Sequence, residues 1–349
     1  MDILKPDEKS KKEIKRLWGA AFKEGEPFLS WYFDKFWKSE NSLAAYADGE
    51  LAGALTAEPH TLVLRGKNIR VSYIGGVSVW ERLRGRGIAT ELMRAMLREE
   101  ARRGDMLSIL IPVSSGFYLR MGYEVCSGST ERTAAFDNDN PCGYELRELS
   151  LSDAHELNRL YEQYCVGKNM FVVRNEACWR FVLDRAFFPG SRTLGAFMGG
   201  ALLAYAVTFE KTVYEAVGEE SAVAALLGSV SGGAHITLTL PGDDKPVVMA
   251  RAVDVSGIFN AMPELGINIE IIDSFIPENS GLYKKGGSKT GTDLVMDISF
   301  FTQCCTGYRS ASELWKEGKI SGEKFAAELL TEYFTKENNY INLIMSEDF

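Results

Sequence analysis

The sequence predicts an α+β fold divided into three parts, and three observations predict it. Two helical segments open the chain and give way to a run of short strands. That run gives way in turn to helix, strand, helix, strand, an order typical of mixed α+β domains. Two polar, turn-forming stretches, Asp137–Gly143 (DNDNPCG) and Pro241–Pro246 (PGDDKP), then cut the 349 residues into pieces of domain size.

The elements follow from residue spacing. Pro6 to Phe22 is amphipathic, and Pro27 to Trp37 is an aromatic helix carrying Phe28, Trp31, Tyr32, Phe33, Phe36 and Trp37. Strand composition covers Leu43–Tyr46, Leu51–Ala57, His60–Leu64 and Ile69–Trp80, with turns at Asp48–Gly49 and Gly66–Asn68, which reads as an antiparallel meander. From Ile88 the apolar residues fall on one helical stripe, with Arg94, Arg98, Glu99 and Arg102 off it. Met106–Val113 is a buried strand, Ser115–Met121 a short helix, and Tyr123–Phe136 strand-like again. The middle part has strands at Tyr144–Leu149, Thr193–Met198, Ala201–Thr208 and His235–Leu240, and helices near Ser152–Cys165, Glu176–Phe187 and Glu219–Val230. Its order loosely repeats that of the first part. The last part starts with a strand and short helix over Val247–Met262. It continues with strands at Ile267–Ile276 and Asp293–Ile298 and helices at Ala311–Glu317 and Gly322–Phe334.

Composition narrows the function. Hydrophobic residues make up 46% and charged residues 25%, ordinary for a soluble protein, and no apolar run is long enough to span a membrane. The first residues, MDILKPDEKSKKEIKRLW, have no apolar signal core, so a cytoplasmic protein with no membrane partner is expected. None of the six cysteines has CxxC spacing and the three histidines stand apart, so no metal is expected. Cys126 has no histidine near it in sequence and reads as core. A net charge of −9 argues against nucleic acid and for a cationic partner.

The most informative stretch is V-S-V-W-E-R-L-R-G-R-G-I-A, Val77 to Ala89. A strand ends at Val79, a basic glycine-rich turn follows, and a helix starts near Gly87. The first amides of a helix have no internal partners and, with the helix dipole, attract anions such as a diphosphate. Gly85 and Gly87 let phosphate oxygens reach the backbone, and Arg82, Arg84 and Arg86 add charge at the rim.

This spacing and element order resemble the GNAT acetyltransferase superfamily, whose acetyl-CoA motif Q/R-x-x-G-x-G/A is matched by Arg82, Gly85 and Gly87. The segment L-I-P-V-S-S-G-F-Y-L-R-M-G-Y-E (Leu110–Glu124) is similar to the Eis-like (enhanced intracellular survival) branch. So are M-A-R-A-V-D-V (Met249–Val255), P-E-N-S-G (Pro277–Gly281) and G-Y-R-S-A-S-E-L (Gly307–Leu314). The resemblance implies tandem GNAT folds, with mixed, mostly antiparallel sheets and splayed strands four and five, and then a sterol-carrier-like domain. The expected boundaries are 1–138 for a catalytic domain, 139–243 for a second, cofactor-free copy and 244–349 for the sterol-carrier-like part. It further implies acetyl-CoA as co-substrate and no metal. Coenzyme contacts are expected from Val77, Val79, Arg82, Arg84, Gly85, Arg86, Gly87, Ile88, Ser114 and Ser115.

Tyr118 matches the family's general acid, and a phenol with pKa near 10 is protonated at neutral pH. The α-carboxylate of the terminal Phe349 is the base by resemblance, or else a water-mediated base or ammonium anchor. Asp348 and Glu347 beside it are expected to bind a second cationic group of the substrate, and Trp31, with Glu24 and Glu26 nearby, to wall the acceptor pocket; a cation on indole gains about 1 kcal/mol. The expected reaction is direct N-acetylation of a small cationic amine (aminoglycoside-like or polyamine-like) or a lysine side chain, by a homo-oligomer, a hexamer by resemblance. The second reading is a non-catalytic acyl-CoA or lipid sensor using the sterol-carrier-like domain.

Overall fold

The computed structural model describes residues 1–185, 188–242, 244–287 and 291–342. In chain order the first elements are β1 (Asp2–Leu4), α1 (Glu8–Phe22), α2 (Phe28–Lys35), β2 (Ser42–Ala47), β3 (Glu50–Leu64), β4 (Lys67–Val79), α3 (Ile88–Arg102), β5 (Leu107–Leu110) and α4 (Ser115–Leu119). Next come β6 (Glu124–Ala135), β7 (Glu145–Glu148), α5 (Ala154–Cys165), β8 (Phe171–Val172), α6 (Glu176–Asp184), β9 (Ser191–Met198), β10 (Ala201–Phe209), β11 (Thr212–Gly218), α7 (Glu220–Ser231) and β12 (His235–Pro241). The remainder is β13 (Lys245–Ala252), α8 (Val255–Ala261), β14 (Ile267–Ile272), β15 (Gly281–Lys285), β16 (Leu294–Asp297), α9 (Ile298–Thr306), α10 (Ala311–Lys316), β17 (Ser321–Gly322) and α11 (Lys324–Tyr333).

Contacts divide the chain into two compact units. One comprises Met1–Leu62, Lys67–Cys126 and Val248–Glu337, and the other Val63–Gly66, Ser127–Val247 and the residues from Asn338 on. In the first unit the strands lie in the order β1-β2-β3-β4-β5-β13. β1, β2 and β3 pair antiparallel, β4 and β5 pair parallel, and β13 closes antiparallel on β5 with Met249 opposite Leu110. The parallel pair is joined by α3, whose Ile88, Leu92, Met93, Met96 and Leu97 are buried on one face. The same unit holds a second sheet, β15-β14-β16-β17.

Two buried carboxylates hold this unit together. Asp105, fully buried, accepts hydrogen bonds from Arg70 Nε at 2.7 Å and Ser72 Oγ at 2.7 Å, and pairs with Arg103 at 3.3 Å. It thereby fastens the start of β4 to the start of β5. Arg251 on β13 is also fully buried; it donates to the Met121 carbonyl and pairs with Asp273. Asp273 in turn accepts the amides of Phe275 at 3.1 Å and Ile276 at 2.9 Å. Gly122 has φ +78 and lies under the guanidinium, so any side chain there would meet Arg251.

The second unit repeats the topology of the first. Its strands lie in the order β7-β9-β10-β11-β12-β6, with two helices between β7 and β9 and α7 joining the parallel pair β11–β12. Glu215 on β11 is buried and accepts hydrogen bonds from both Arg174 terminal nitrogens and from the Tyr205 and Tyr340 hydroxyls, at 2.6 to 2.8 Å.

The strands expected separately at Leu51–Ala57 and His60–Leu64 form one strand, β3, because Pro59 faces outward and needs no ladder partner. β5 is shorter than the expected Met106–Val113, and β11 and α9 carried no distinct sequence signal. Replacing Arg251 with Met should destabilise the protein by about 3–5 kcal/mol, because Asp273 would be left charged and buried. Urea unfolding should show it, and R251M/D273L together should recover part of the loss.

Candidate active site

The pairing of β4 with β5 covers only Val71–Leu107, Ser72–Ser108 and Tyr73–Ile109. β4 runs on to Val79 while β5 ends at Leu110, so the two strands part beyond Tyr73. Within β4, Gly76 has φ +59, and a side chain there would strike the Trp18 ring. Only glycine fits this kink. Past it, the Trp80 amide donates to the Ala52 carbonyl on β3 at 3.1 Å. Backbone groups alternate along a strand, so those of Val77 and Val79 face away from β3, toward the side β5 has left. Val77 and Val79 are themselves half-buried.

After Val79 the chain makes a 3-10 turn, Glu81–Leu83, and then α3 begins. The Arg84 amide donates to the Glu81 carbonyl at 3.2 Å. Among the described residues, the amides from Gly85 to Thr90 have no backbone partner. Gly85 and Gly87 take φ +76 and +77, and nothing lies within 4 Å of a Cβ added at either. Gly87 caps α3 without a side-chain bond. The turn is therefore open, exposed and lined by bare N–H groups. Around it, Arg82 reaches Glu50 at 3.2 Å across an exposed pair, and Arg84 Nε donates to the Val79 carbonyl at 3.4 Å. Arg86 is exposed, whereas Ile88 is 5% exposed and belongs to the core.

Tyr118 sits on the short helix α4, with the exposed Ser114 and Ser115 at its start. It shares one hydrophobic cluster with Leu83, Ile88 and Leu110, and Val77 and Val79 pack against that cluster. The structure therefore sets the phenol in the same core cluster that Val77 and Val79 of β4 and Leu83 and Ile88 beside the glycine turn join. The Tyr118 ring meets Phe117 edge-on at 5.0 Å and Tyr123 at 5.9 Å, and Tyr123 hydrogen-bonds Ser108 on β5 at 2.6 Å. Burial pushes the Tyr118 hydroxyl up to about 12, so it holds its proton throughout the neutral range.

Other expected site residues have structural contacts. Glu26 pairs with Lys15 at 2.8 Å and accepts the Ser30 amide at 3.0 Å in the first turn of α2. Those hydrogen bonds, from Lys15 first and then Ser30, hold its carboxyl down to about 2. Trp31 is 8% exposed and packs on Phe28 and Phe36, with ring centres 5.8 and 4.9 Å away. Phe349 and Asp348 lie outside the described residues. Cys126 is buried with its thiol toward the Val248 carbonyl at 3.5 Å, and burial raises its pKa. No group of three or more His, Cys, Asp or Glu suited to a metal occurs among the described residues, and none of their helices is long and apolar enough to cross a membrane. Sequence reading missed Gly76, which was signalled by a glycine pair inside a strand.

Comparison with known proteins agrees with this geometry. Residues 2–126 match the acetyltransferase (GNAT) domain model, and residues 255–342 match the sterol carrier protein domain model. No curated protein sequence matches the chain. A probable N-acyltransferase from Enterococcus faecalis V583 is 23% identical, with 98% of each chain covered and a TM-score of 0.81. A GCN5-related N-acetyltransferase from Anabaena variabilis ATCC 29413 is 18% identical, with 97% of this chain and 98% of that one covered and a TM-score of 0.78. Eis1 from Mycobacterium abscessus is 18% identical, with 98% and 99% covered and a TM-score of 0.75. The chain thus joins a GNAT acetyltransferase domain to a C-terminal sterol carrier protein domain, in the fold that Eis1 shares, and is an enzyme of the acetyltransferase type.

Proposed function

We propose that the protein transfers acetyl from acetyl-CoA directly to a primary amine of a cationic small molecule or a lysine side chain. The observation that carries this reading is the open run of amides from Gly85 to Thr90, set at the end of a strand whose neighbour has turned away. A diphosphate is the ligand such a helix start favours, because it satisfies several orphan donors and meets the positive end of the helix dipole. With the diphosphate held there, a pantetheine arm would run along Val77 and Val79, where strand-like pairing uses backbone groups beyond the reach of β5, the Val79 carbonyl being held by Arg84 Nε. Acetyl-CoA supplies the activated acyl group; the chain supplies position and protons.

Direct transfer needs a neutral amine, a polarised carbonyl and a proton for the departing thiolate. Backbone amides on the free edge of β4 can polarise the thioester oxygen. Tyr118 remains protonated, and in this reading it gives its proton to sulfur as the C–S bond breaks. The −9 net charge favours a cationic acceptor approaching by long-range attraction. Unit boundaries at 1–138, 139–243 and 244–349, a cytoplasmic location and a homo-oligomeric state belong to the same proposal.

Thiol release from acetyl-CoA should be seen with at least one of spermidine, kanamycin and a lysine peptide; no release with any of them would contradict transferase activity. Gly87→Val adds a side chain at φ +77 over the amides, and should weaken acetyl-CoA binding by calorimetry about tenfold or more. Tyr118→Phe should lower kcat about 10²-fold with the acetyl-CoA Kd unchanged. The wild-type rate should show no basic limb from this phenol below about pH 10, since its proton is lost only near 12. A tyrosine-dependent fall near pH 8 would contradict the role given to it.

A further inference from the structure

The helix α4, which carries Tyr118, has five residues, too few to hold its shape by its own hydrogen bonds. Its start is exposed, and Ser114 caps it without a side-chain bond. The phenol is therefore fixed from the other end. There the Tyr118 carbonyl accepts the amides of Met121 at 2.8 Å and Tyr123 at 3.3 Å, closing a turn through Gly122. Met121 and Tyr123 are buried in the same cluster as Tyr118, so a shift of the turn carries the phenol with it.

That turn is held by a residue 130 positions later in the chain. The Arg251 guanidinium donates to the Met121 carbonyl with one terminal nitrogen and pairs with Asp273 through the other. Asp273 is itself pinned, accepting the Phe275 and Ile276 amides and Asn279 Nδ2 at 3.0 Å. Gly122 passes directly beneath the guanidinium, and a Cβ there would also strike Ile298. A little further on, Gln303 Nε2 on α9 donates to the Val125 carbonyl at 3.1 Å. The side chains of Arg251 and Asp273 are both fully buried, so water does not stand in for either bond if one partner is lost. Two stretches far apart in sequence, L-R-M-G-Y-E (Leu119–Glu124) and M-A-R-A-V-D-V, thus meet at one guanidinium.

We propose that Arg251, with Asp273 behind it, is a positioning residue for Tyr118: through the Met121 carbonyl it fixes the turn that ends α4, and so the place of the phenol. The inference rests on the transferase reading above. A general acid serves only within hydrogen-bond reach of the atom it protonates, and a misplacement of about 1 Å can cost up to about 10²-fold in rate. Arginine suits the task because its planar fork holds two acceptors at a fixed spacing, which the point charge of a lysine does not. Asp273 lies in the segment that matches the sterol carrier protein domain. That domain then contributes to the reaction by holding the acid in place, without touching the coenzyme.

The test separates stability from rate, using thiol release with whichever of spermidine, kanamycin or the lysine peptide the wild-type protein turns over fastest. R251M/D273L leaves no buried charge unpaired, yet gives the Met121 carbonyl no donor. It should therefore lower kcat about tenfold while folded by urea unfolding, with acetyl-CoA Kd within about twofold. Arg251→Lys keeps a cation beside Asp273 but not the fork, and should lower kcat at least about threefold, so the test stands even where the double variant fails to fold. A purely structural defect would also slow an enzyme that lacks the acid. In a Tyr118→Phe background, however, either change should cost less than about twofold, because the group it positions is gone. Unchanged kcat in the folded variants, or an equal loss with and without the Tyr118 hydroxyl, would overturn this role alone. Absence of turnover in the wild type would overturn it together with the transferase reading.

Discussion

Asp105 closes one end of the β4–β5 pair, and much of the site's geometry depends on that closure. Its carboxylate ties Arg70 and Ser72 at the start of β4 to the chain entering β5. With that end fixed, three residue pairs of parallel ladder form and the strands then diverge. Divergence is costly for a sheet, since it leaves backbone donors and acceptors without partners. Here the cost falls where a pantetheine arm can offset it. The Gly76 kink and the Trp18 ring against it belong to the same arrangement, bending β4 where the ladder stops.

The second unit shows what the site requires by lacking it. It reproduces the strand order and the helix-linked parallel pair, yet its strand-to-helix turn reads Val217-Gly218-Glu219-Glu220 rather than a basic glycine run. Glu219 caps α7 and Glu220 occupies its first turn. Carboxylates there complement the helix dipole themselves and repel a diphosphate. The same topology thus carries a basic, glycine-lined helix start in one unit and an acidic one in the other, and the difference lies in a few side chains.

Much of this was legible in the sequence because it is local. The R-x-x-G-x-G run, the helix stripe from Ile88 and the F-Y pair at Phe117–Tyr118 each announce an element within a dozen residues. What escaped was nonlocal. Nothing near Met249 says that β13 will pair with Leu110, some 140 residues earlier in the chain. Trp31 and Glu26 read as a cation wall from residue type alone, and only the fold shows the indole packed in an aromatic cluster and the carboxylate on Lys15 and the Ser30 amide.

The account rests on bare main-chain amides at the start of α3 receiving a diphosphate. Titration calorimetry of coenzyme A against pantetheine, which lacks that group, isolates the contact. Coenzyme A should bind at least about 10²-fold more tightly than pantetheine, with the advantage shrinking as salt rises. Equal affinity for the two ligands would contradict the assignment of the glycine turn as the coenzyme's anchor.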